Sequence, residues 1–420
     1  MTEKIFARHT RDGEARAGEV IYLAPDVVLL NDVSGPVAFK PLEAMSGGRL
    51  FDPDRVVLVA DHFSPAKDVL TAELIRELRE FARKRRIRNF FDTGNGGIEH
   101  ALLAEIGRVR PGALIFGADS HTCTAGALNA SGVGFGSTDL AAAMATGELW
   151  LSVPQSIRVD LSGAPGAFVT GKDVILDFIR RIGVDGALDA SIEIGGPGLA
   201  ALTVDERFAV ANMAVEAGAT TCVLEFDDRV KSYIVERGVT GIEPVRPDDG
   251  AAYVARHAIA LDAIEPTVAA PPSPAAGQPV SSLAGTRVDQ VYVGNCSNGT
   301  LTDLRQAASV LRGRRVAAGV RMFVVPATQN IYLTASSEGL LNVFVQAGAA
   351  VLPPTCGACF GGHMGILAAG ETAIATTNRN FRGRMGHPDS RVFLANAWVA
   401  AAAAVAGEIV HPAELPAVVH

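Results

Sequence analysis

The sequence predicts an α/β fold built on parallel sheets. Short runs of branched apolar residues at 27–30, 56–60 and 113–117 alternate with segments of helical spacing such as 74–82. Strands that alternate with helices in this way form parallel sheets with helices on their faces. The chain has 420 residues, of which 48% are hydrophobic, and this is enough for several such domains with well-filled cores.

Three α/β blocks are expected along the chain. The first covers 1–153, and the second covers 154–265 and opens with a strand at 156–161. Five prolines among Ala, Ser and Gly indicate that 266–286 is a linker. The third block, 287–420, carries three of the five cysteines.

Composition argues against several classes of protein. The net charge is −8 and the pI is near 5.6, so nothing indicates a nucleic-acid-binding surface. Five cysteines, an odd number in a long chain, indicate a reducing compartment rather than a disulfide framework. The first residues form no apolar signal core, and the apolar run 392–406 is shorter than the roughly 20 residues of a membrane helix. We therefore expect a cytoplasmic protein with no membrane or nucleic-acid partner, in which 392–406 is a buried helix.

Three cysteines organise the third block. Cys296 follows the apolar run 290–293, and Cys356 and Cys359 follow a second apolar run. Each motif predicts a strand, a turn and a Gly-rich entry into a helix that would stabilise thiolates, and the second helix is expected through 364–367. Three thiolates could hold an iron–sulfur cluster with one open iron, or a zinc ion completed by another ligand. A redox pair or three ordinary buried cysteines would also be compatible with this spacing.

Four motifs occur together and in order, at 119–122, 295–299, 354–359 and 378–384. They read Asp-Ser-His-Thr, Asn-Cys-Ser-Asn-Gly, Pro-Thr-Cys-Gly-Ala-Cys and Asn-Arg-Asn-Phe-Arg-Gly-Arg. With them the chain resembles the aconitase superfamily over essentially its whole length. Within the superfamily it is most similar to the large subunits of isopropylmalate dehydratases and homoaconitases. The resemblance implies three α/β/α domains around a central iron–sulfur cluster.

The resemblance also implies a chemistry. It implies a hydro-lyase with a [4Fe-4S] cluster that has one open iron and is held by Cys296, Cys356 and Cys359. It favours interconversion of 2- and 3-isopropylmalate in leucine biosynthesis. Homoaconitase chemistry and dimethylmalate or methylmalate dehydration are the alternatives within the superfamily. A zinc or thiol-redox protein and an RNA-binding relative are the alternatives from a different functional class.

Several candidate residues follow predicted strands, beyond whose carboxyl ends parallel sheets bind ligands. Asp61 precedes His62, and a neighbouring carboxylate raises the basicity of a histidine and fixes its tautomer. Asn212 and Glu216 are four residues apart and therefore share a helix face. The resemblance assigns catalytic roles to Asp61, His62, His100, Asp119, His121 and Glu216.

A second set of residues is expected to bind a small hydroxy di- or tricarboxylic acid. Arginine binds carboxylates in a bidentate fork, so Arg379 and Arg384 are the candidates for the substrate carboxylates. Their alternative role is in surface salt bridges. The residues expected to contact substrate are Asn31, Asp32, Ser120, Asn212, Asn378, Arg379 and Arg384.

The resemblance implies a partner as well. Full-length aconitases carry a C-terminal swivel domain that supplies a serine base and an arginine for the substrate. The present sequence ends at His420, the last residue of the third block, and is expected to lack that domain. Related isopropylmalate dehydratases and homoaconitases carry it on a separate small subunit. We therefore expect this chain to need a small swivel-domain subunit and to be inactive alone.

One segment nearly matches a phosphate-binding loop, at 166–172. Asp173 follows Lys172, however, at a position where that motif needs Ser or Thr to hold magnesium. Its carboxylate would repel phosphates, so we expect no nucleotide site there.

Overall fold

The computed structural model describes residues 1–417, and it confirms the α/β fold with parallel sheets. The chain divides into two compact units. The first consists of Met1–Ser162 and Ala187–Ile259. The second consists of Gly163–Gly186 and the described residues from Ala260 onwards.

The first unit contains three groups of strands. Its strands are β1 (Val20–Leu23), β2 (Val27–Asn31), β3 (Val56–Val59), β4 (Asn89–Phe91), β5 (Leu114–Gly117), β6 (Ser131–Gly134), β7 (Leu149–Ser152), β8 (Gln155–Ser162), β9 (Ala190–Gly195), β10 (Thr221–Leu224) and β11 (Ala255–Ala260). β1 and β7 form an antiparallel ribbon. A four-stranded sheet has the order β10-β9-β8-β11, in which β8, β9 and β10 are parallel.

The five-stranded sheet of the first unit is parallel and has the order β4-β3-β2-β5-β6. From β2 the chain winds outward through β3 and β4, and then it returns to add β5 and β6 on the other side. The direction of winding therefore reverses between β2 and β5. Open parallel sheets bind ligands at such a switch point, beyond the carboxyl ends of the strands.

Helices cover the sheets of the first unit. They are α1 (Thr2–Ala7), α2 (Ser34–Ser46), α3 (Val69–Arg85), α4 (Glu99–Glu105), α5 (Ser137–Thr146), α7 (Val204–Asn212) and α8 (Asp228–Val235), while α6 (Gly171–Ile182) belongs to the second unit. α3 shows why the sequence forms them. The Asp68 side chain accepts from the Thr71 amide at its start, and Ile75, Leu78 and Phe81 form the buried stripe predicted by the helical spacing.

The second unit is organised around one seven-stranded sheet. Its strands are β12 (Thr267–Ala269), β13 (Gly277–Pro279), β14 (Gln290–Gly294), β15 (Arg321–Val325), β16 (Ala350–Val351), β17 (Thr372–Ala375) and β18 (Arg391–Leu394). The order is β13-β12-β18-β17-β14-β15-β16, and β14 to β18 are parallel. The winding reverses between β14 and β17, so this sheet has its own switch point.

The remaining helices of the second unit are α9 (Leu301–Leu311), α10 (Gln329–Ser337), α11 (Leu340–Ala347) and α12 (Ala397–Ala406). The apolar run 392–406 contains most of β18 as well as the whole of α12. Asn396 separates the two elements, because its side chain accepts from the Val399 amide and starts the helix. α12 is buried almost throughout, but the prediction of one helix over 392–406 was wrong for its first residues, because 392–394 belong to β18. Within the described range, none of the helices has the length and apolar character needed to span a membrane.

Two further local expectations differ from the structure. The proline-rich segment 266–286 carries β12 and β13, which pair antiparallel and join the edge of the large sheet through Leu394. Proline is tolerated there because an edge strand needs only half of its amides. The segment 364–367 is not a helix, and only a short 3-10 turn, Gly357–Phe360, follows Cys356. The division into three domains stays a prediction.

A buried lysine connects α6 to the end of β17. Lys172 is fully buried, and its Nζ donates to the carbonyl oxygens of Thr376 at 2.9 Å and Thr377 at 2.7 Å. These two residues directly precede Asn378. The lysine of the segment that nearly matches a phosphate loop therefore holds the backbone in front of one candidate site residue.

Replacing Lys172 by Met should lower the free energy of unfolding by roughly 2–4 kcal/mol, because two buried carbonyl oxygens lose a charged donor. Chemical denaturation followed by circular dichroism measures the change. Lys84→Met is the matched control, since Lys84 is exposed in the last turn of α3. Equal effects of the two substitutions would contradict the role given to Lys172.

Candidate active site

Polar side chains cluster at the switch point of the five-stranded sheet. Asp32 directly follows β2, Asp61 and His62 follow β3 closely, and Asp119 follows β5. The strands are buried and parallel, and their ends lie side by side because Asn31 pairs with Val59 and Leu29 pairs with Gly117. The topology therefore brings three segments that are distant in sequence to one edge of the sheet.

Asp32 and Asn31 hold the backbone at this edge. Asp32 is fully buried, and its carboxylate accepts from the amides of Asp61 at 3.2 Å, His62 at 2.8 Å and Phe63 at 2.7 Å. Asn31 accepts through Oδ1 from the amide of Ser34 at 2.9 Å. Both residues, which were expected to contact substrate, thus have bonds that shape the loops. A contact of either with substrate stays a prediction.

His62 lies between two carboxylates. Its Nδ1 donates to Asp61 Oδ1 at 2.7 Å, and its Nε2 is 3.7 Å from Asp119 Oδ2. Burial alone would lower the pKa of His62, but the carboxylates of Asp61 and Asp119 outweigh it and raise that pKa well above its usual value. The imidazole is therefore held protonated near neutral pH, with Nδ1 committed to Asp61.

Asp119 is the point at which three histidines meet. Its Oδ1 accepts from His100 Nε2 at 3.0 Å and from the backbone amide of His121 at 2.7 Å. Burial would raise the pKa of Asp119, but hydrogen bonds from His100, His121 and His62 hold it well below its usual value. One fifth of the Asp119 side chain is exposed, so this ionised group reaches the surface of the unit.

The 3-10 helix Ser120–Leu128 carries the rest of the motif, and α7 with the turn after it packs against this helix. Glu216 Oε1 accepts from His121 Nε2 at 2.9 Å, and Asn212 Nδ2 donates to Thr124 Oγ1 at 2.8 Å. The α-helix ends at Asn212 and Glu216 lies in the 3-10 helix Met213–Ala217, so the single helix face predicted for the pair is not formed, although both side chains contact the same segment. Ser120 is half-buried at the first position of that segment.

Glu99 belongs to the same cluster, although sequence reasoning missed it. It is buried at the start of α4, its amide donates to Asp61 Oδ2 at 2.8 Å, and its Oε1 accepts from Asn31 Nδ2 at 2.9 Å. Its position beside His100 was a possible signal. An acidic residue in the first helical turn is ordinarily a favourable partner of the helix dipole, however, and so it did not stand out.

The second unit holds the three cysteines of the predicted cluster. Cys296 lies in the turn after β14, and Cys356 and Cys359 lie in the turns after β16. All three are buried and none forms a disulfide. No α-helix begins at either motif, because α9 begins five residues beyond Cys296 and a 3-10 turn contains Cys359.

Asn378 joins two of the thiols from the end of β17. Its Nδ2 donates to Cys296 Sγ at 3.3 Å, and its Oδ1 is 3.3 Å from Cys359 Sγ. Thr376, two residues before it, accepts through Oγ1 from the Gly294 amide at 2.9 Å. The ends of β14 and β17 are neighbours at the switch point of the seven-stranded sheet, and the segment after the edge strand β16 brings Cys359 to Asn378 there. Soft sulfur donors of this kind are the ligands that iron–sulfur groups use.

Tyr292 provides an independent test of whether a sulfur-rich group fits here. Its hydroxyl is buried beside Gly357 and makes no hydrogen bond to the described residues, although the Ala358 amide lies near it. Burial, and then negative charge on Cys359 and Cys356, raise its pKa well above the usual value, so the hydroxyl stays a donor. The Tyr292 hydroxyl is therefore a hydrogen-bond donor that lies near two thiols and has no acceptor among the described residues. A bound group with sulfur acceptors would satisfy it.

The arginines of the last motif differ in their surroundings. Arg382 is exposed and pairs with Asp389 at 3.0 Å, as a surface salt bridge. Arg384 is half-buried, and its buried Nε has no hydrogen-bond partner among the described residues. Arg379 is also half-buried. A guanidinium nitrogen left without an acceptor favours Arg384 as a binding group for an anionic ligand.

The chain is similar to known proteins over nearly its whole length. The profile of the Aconitase family (aconitate hydratase) matches residues 3–286 and 276–407. The 3-isopropylmalate dehydratase large subunit 2 of Rubrobacter xylanophilus is 53% identical over 99% of this chain and 98% of that protein. The 3-isopropylmalate dehydratase large subunit of Acetivibrio thermocellus is 50% identical over 99% of both chains. The large subunit of the same name from Syntrophus aciditrophicus is also 50% identical, over 99% of both chains.

Replacing Asp61 by Asn should lower the pKa of His62, because the carboxylate that stabilises the imidazolium is removed. Nuclear magnetic resonance titration of the imidazole of His62 measures this. Since the pKa of His62 is raised on folding, its contribution to stability is fully present below about pH 6.5 and is lost as the pH rises through the folded value. The deficit in melting temperature of Asp61→Asn should therefore shrink as the pH rises.

The control for this prediction is Asp12→Asn, which removes one exposed carboxylate of the same unit. It should leave the titration of His62 in place and produce a small deficit with no trend between about pH 6 and 9. A titration of His62 that is identical in the wild-type chain and in Asp61→Asn would contradict the electrostatic role of Asp61.

Proposed function

This chain belongs to the aconitase family, and we propose that it is the large subunit of a 3-isopropylmalate dehydratase, a hydro-lyase that interconverts 2- and 3-isopropylmalate in leucine biosynthesis. The structural observation that carries the proposal is the set of three buried cysteines, none in a disulfide, of which Cys296 and Cys359 contact Asn378. The relatives that share about half of their residues with this chain carry the substrate in their names.

Family membership implies an iron–sulfur cluster, and we assign it to Cys296, Cys356 and Cys359 as a [4Fe-4S] cluster with one open iron. The three thiols and the bridging amide of Asn378 fit such a group, as does the Tyr292 hydroxyl, which has no hydrogen-bond partner within residues 1–417. When bound there, the cluster would supply Lewis-acid chemistry that makes a substrate hydroxyl a better leaving group.

The second unit also supplies groups for substrate carboxylates. Arg384 has a buried guanidinium nitrogen without an acceptor among the described residues, and Arg379 lies next to Asn378. A guanidinium binds a carboxylate through two parallel hydrogen bonds, which fixes orientation as well as charge. Lys172 contributes by holding the backbone carbonyls in front of Asn378, so the motif starts from a fixed position.

The first unit supplies the proton. His62 donates through Nδ1 to Asp61, so its protonated Nε2 is the atom that gives a proton to a departing hydroxyl. Hydrogen bonds from three histidines keep Asp119 ionised, and its negative charge keeps His62 protonated until that transfer. Once water has left, the same imidazole nitrogen takes a proton back when the unsaturated acid is rehydrated.

The base that removes the carbon-bound hydrogen is assigned to a partner. We propose that a small subunit with a swivel domain supplies a serine base and a further arginine, and contributes to selection of the substrate side chain. The relatives that match this chain are named large subunits, which supports a two-subunit enzyme.

The decisive experiment mixes the chain, anaerobically loaded with cluster, with the small subunit. Ultraviolet absorbance of the unsaturated acid is followed with isopropylmalate, homoisocitrate, dimethylmalate and isocitrate side by side. We expect turnover of isopropylmalate by the mixture and none by the isolated chain. Cys296→Ser should lose both turnover and bound iron and sulfide. Turnover by the isolated chain, or of another acid alone, would contradict the corresponding part of the proposal.

A second prediction concerns the arginines. Arg384→Lys should raise KM for isopropylmalate by about 10- to 100-fold, because one charge-assisted hydrogen bond to a carboxylate is lost. Arg382→Lys is the matched control from the same motif, since Arg382 is exposed and pairs with Asp389. Its KM should stay within about twofold of the wild-type value. A KM that is unaffected in Arg384→Lys would remove Arg384 from the substrate-binding set.

A further inference from the structure

Glu99 is a buried carboxyl group with one oxygen committed and one left over. Its Oε1 accepts from Asn31 Nδ2 at 2.9 Å, whereas its Oε2 is buried and has no hydrogen-bond partner among residues 1–417. Only 1% of the residue is exposed. Burying an ionised carboxylate oxygen without any hydrogen-bond donor costs free energy. A protonated carboxyl group is neutral, so it avoids the cost of burying a charge.

The groups that face Glu99 come from three different elements. Asp61 and His62 follow β3, His100 lies on α4, and Asp119 caps the 3-10 helix that begins at Ser120. One carboxylate oxygen of Glu99, one of Asp119 and a ring nitrogen of His62 lie within 4.8 Å of one another. Glu99 Oε1 is 3.9 Å from His100 Nε2. Three carboxyl groups therefore share this small volume with the imidazoles.

The hydrogen bonds already distribute the available positive charge. His62 bonds to Asp61, and His100 bonds to Asp119 at 3.0 Å rather than to Glu99 at 3.9 Å. Asp119 receives further support from the amide of His121. In the contacts described, no histidine nitrogen is within hydrogen-bond distance of Glu99. Among Asp61, Asp119 and Glu99, a negative charge on Glu99 would therefore be the least stabilised by a neighbouring histidine.

We propose that Glu99 holds a proton on Oε2 at neutral pH, and that loss of this proton sets the alkaline limit of the enzyme by disturbing Asp119 and His62. Glu99 is thus a positioning residue that acts through its neighbours. The inference rests on the proposed function only in its second half, because the protonation of Glu99 concerns the isolated chain.

The electrostatics of the cluster agree with this assignment. Burial raises the pKa of Glu99 to about 8, the charges of Asp61 and Asp119 act in the same direction, and the charges of His100 and His62 act in the opposite sense. When hydroxide removes the proton from Oε2, a third negative charge appears beside His62 and His100. His100 is then drawn from Asp119 towards Glu99, and His62 becomes a weaker acid.

The first arm of the test is infrared spectroscopy of the isolated chain. A protonated carboxyl group has a carbonyl stretch above the amide bands, and the difference spectrum between wild type and Glu99→Gln isolates the signal of Glu99. We expect this band near pH 6.5 and its loss as the pH rises through about 8. Glu338→Gln is the control, because Glu338 pairs with Arg305 at an exposed position and should contribute no such band.

A second variant keeps the test decisive if Glu99→Gln folds poorly. Asn31→Asp retains the oxygen that accepts from Ser34 but replaces the donor to Glu99 by an acceptor. The midpoint at which the carboxyl band disappears should then move to higher pH. Absence of the band at pH 6.5 in the wild-type chain, or a midpoint unchanged in Asn31→Asp, overturns the assignment of the proton.

The second arm uses the cluster-loaded complex with the small subunit and measures the pH dependence of kcat. The wild type should lose about tenfold in kcat per pH unit above the midpoint seen by infrared spectroscopy. Glu99→Gln cannot ionise at this position, so its kcat should not fall at that midpoint, whatever its activity at neutral pH. The same alkaline fall in both enzymes overturns the second half of the proposal. A complex that turns over no acid contradicts the proposed function, while the infrared result decides the proton independently.

Discussion

The carboxyl ends of parallel strands are the constraint on which both sets of candidate residues depend. In the first unit the winding reverses between β2 and β5, and in the second it reverses between β14 and β17. At each reversal two loops diverge from neighbouring strands and leave a space beyond the sheet edge. Asp119 occupies one such edge, and Cys296 and Asn378 occupy the other. Segments far apart in sequence meet there because the strands that precede them are neighbours.

Charge balance then determines what the first set of residues can do. A buried histidine alone would be neutral, and a buried aspartate alone would take up a proton. Placed together, Asp119 stays ionised and His62 stays protonated, so each group keeps the state that chemistry at neutral pH requires. The same logic assigns Glu99 the opposite state, because the nearby positive charges are already engaged. Three carboxyl groups of similar intrinsic acidity thus have different roles through their contacts alone.

Much of the candidate site could be located from sequence, because short motifs directly follow predicted strands. Asp61 with His62, and the segment that begins at Asp119, were placed at strand ends by the apolar runs before them. Glu99 and Lys172 were not found. Both make their contacts with residues distant in sequence: Glu99 accepts from Asn31, and Lys172 donates to Thr376. The spacing of residues within a helix predicts which of them lie on the same face. It does not predict which distant residues pack against that face.

The sequence by itself determined the fold class, the family motifs and the residue types of the candidate site. It could do so because hydrophobic periodicity and short polar motifs are local properties. Only the tertiary structure decided that the proline-rich segment becomes part of a sheet, that no α-helix starts at Cys359, and that Glu99 lies among Asp61 and Asp119. The physical reason is that edge pairing, burial and the balance of charges depend on neighbours supplied by distant parts of the chain.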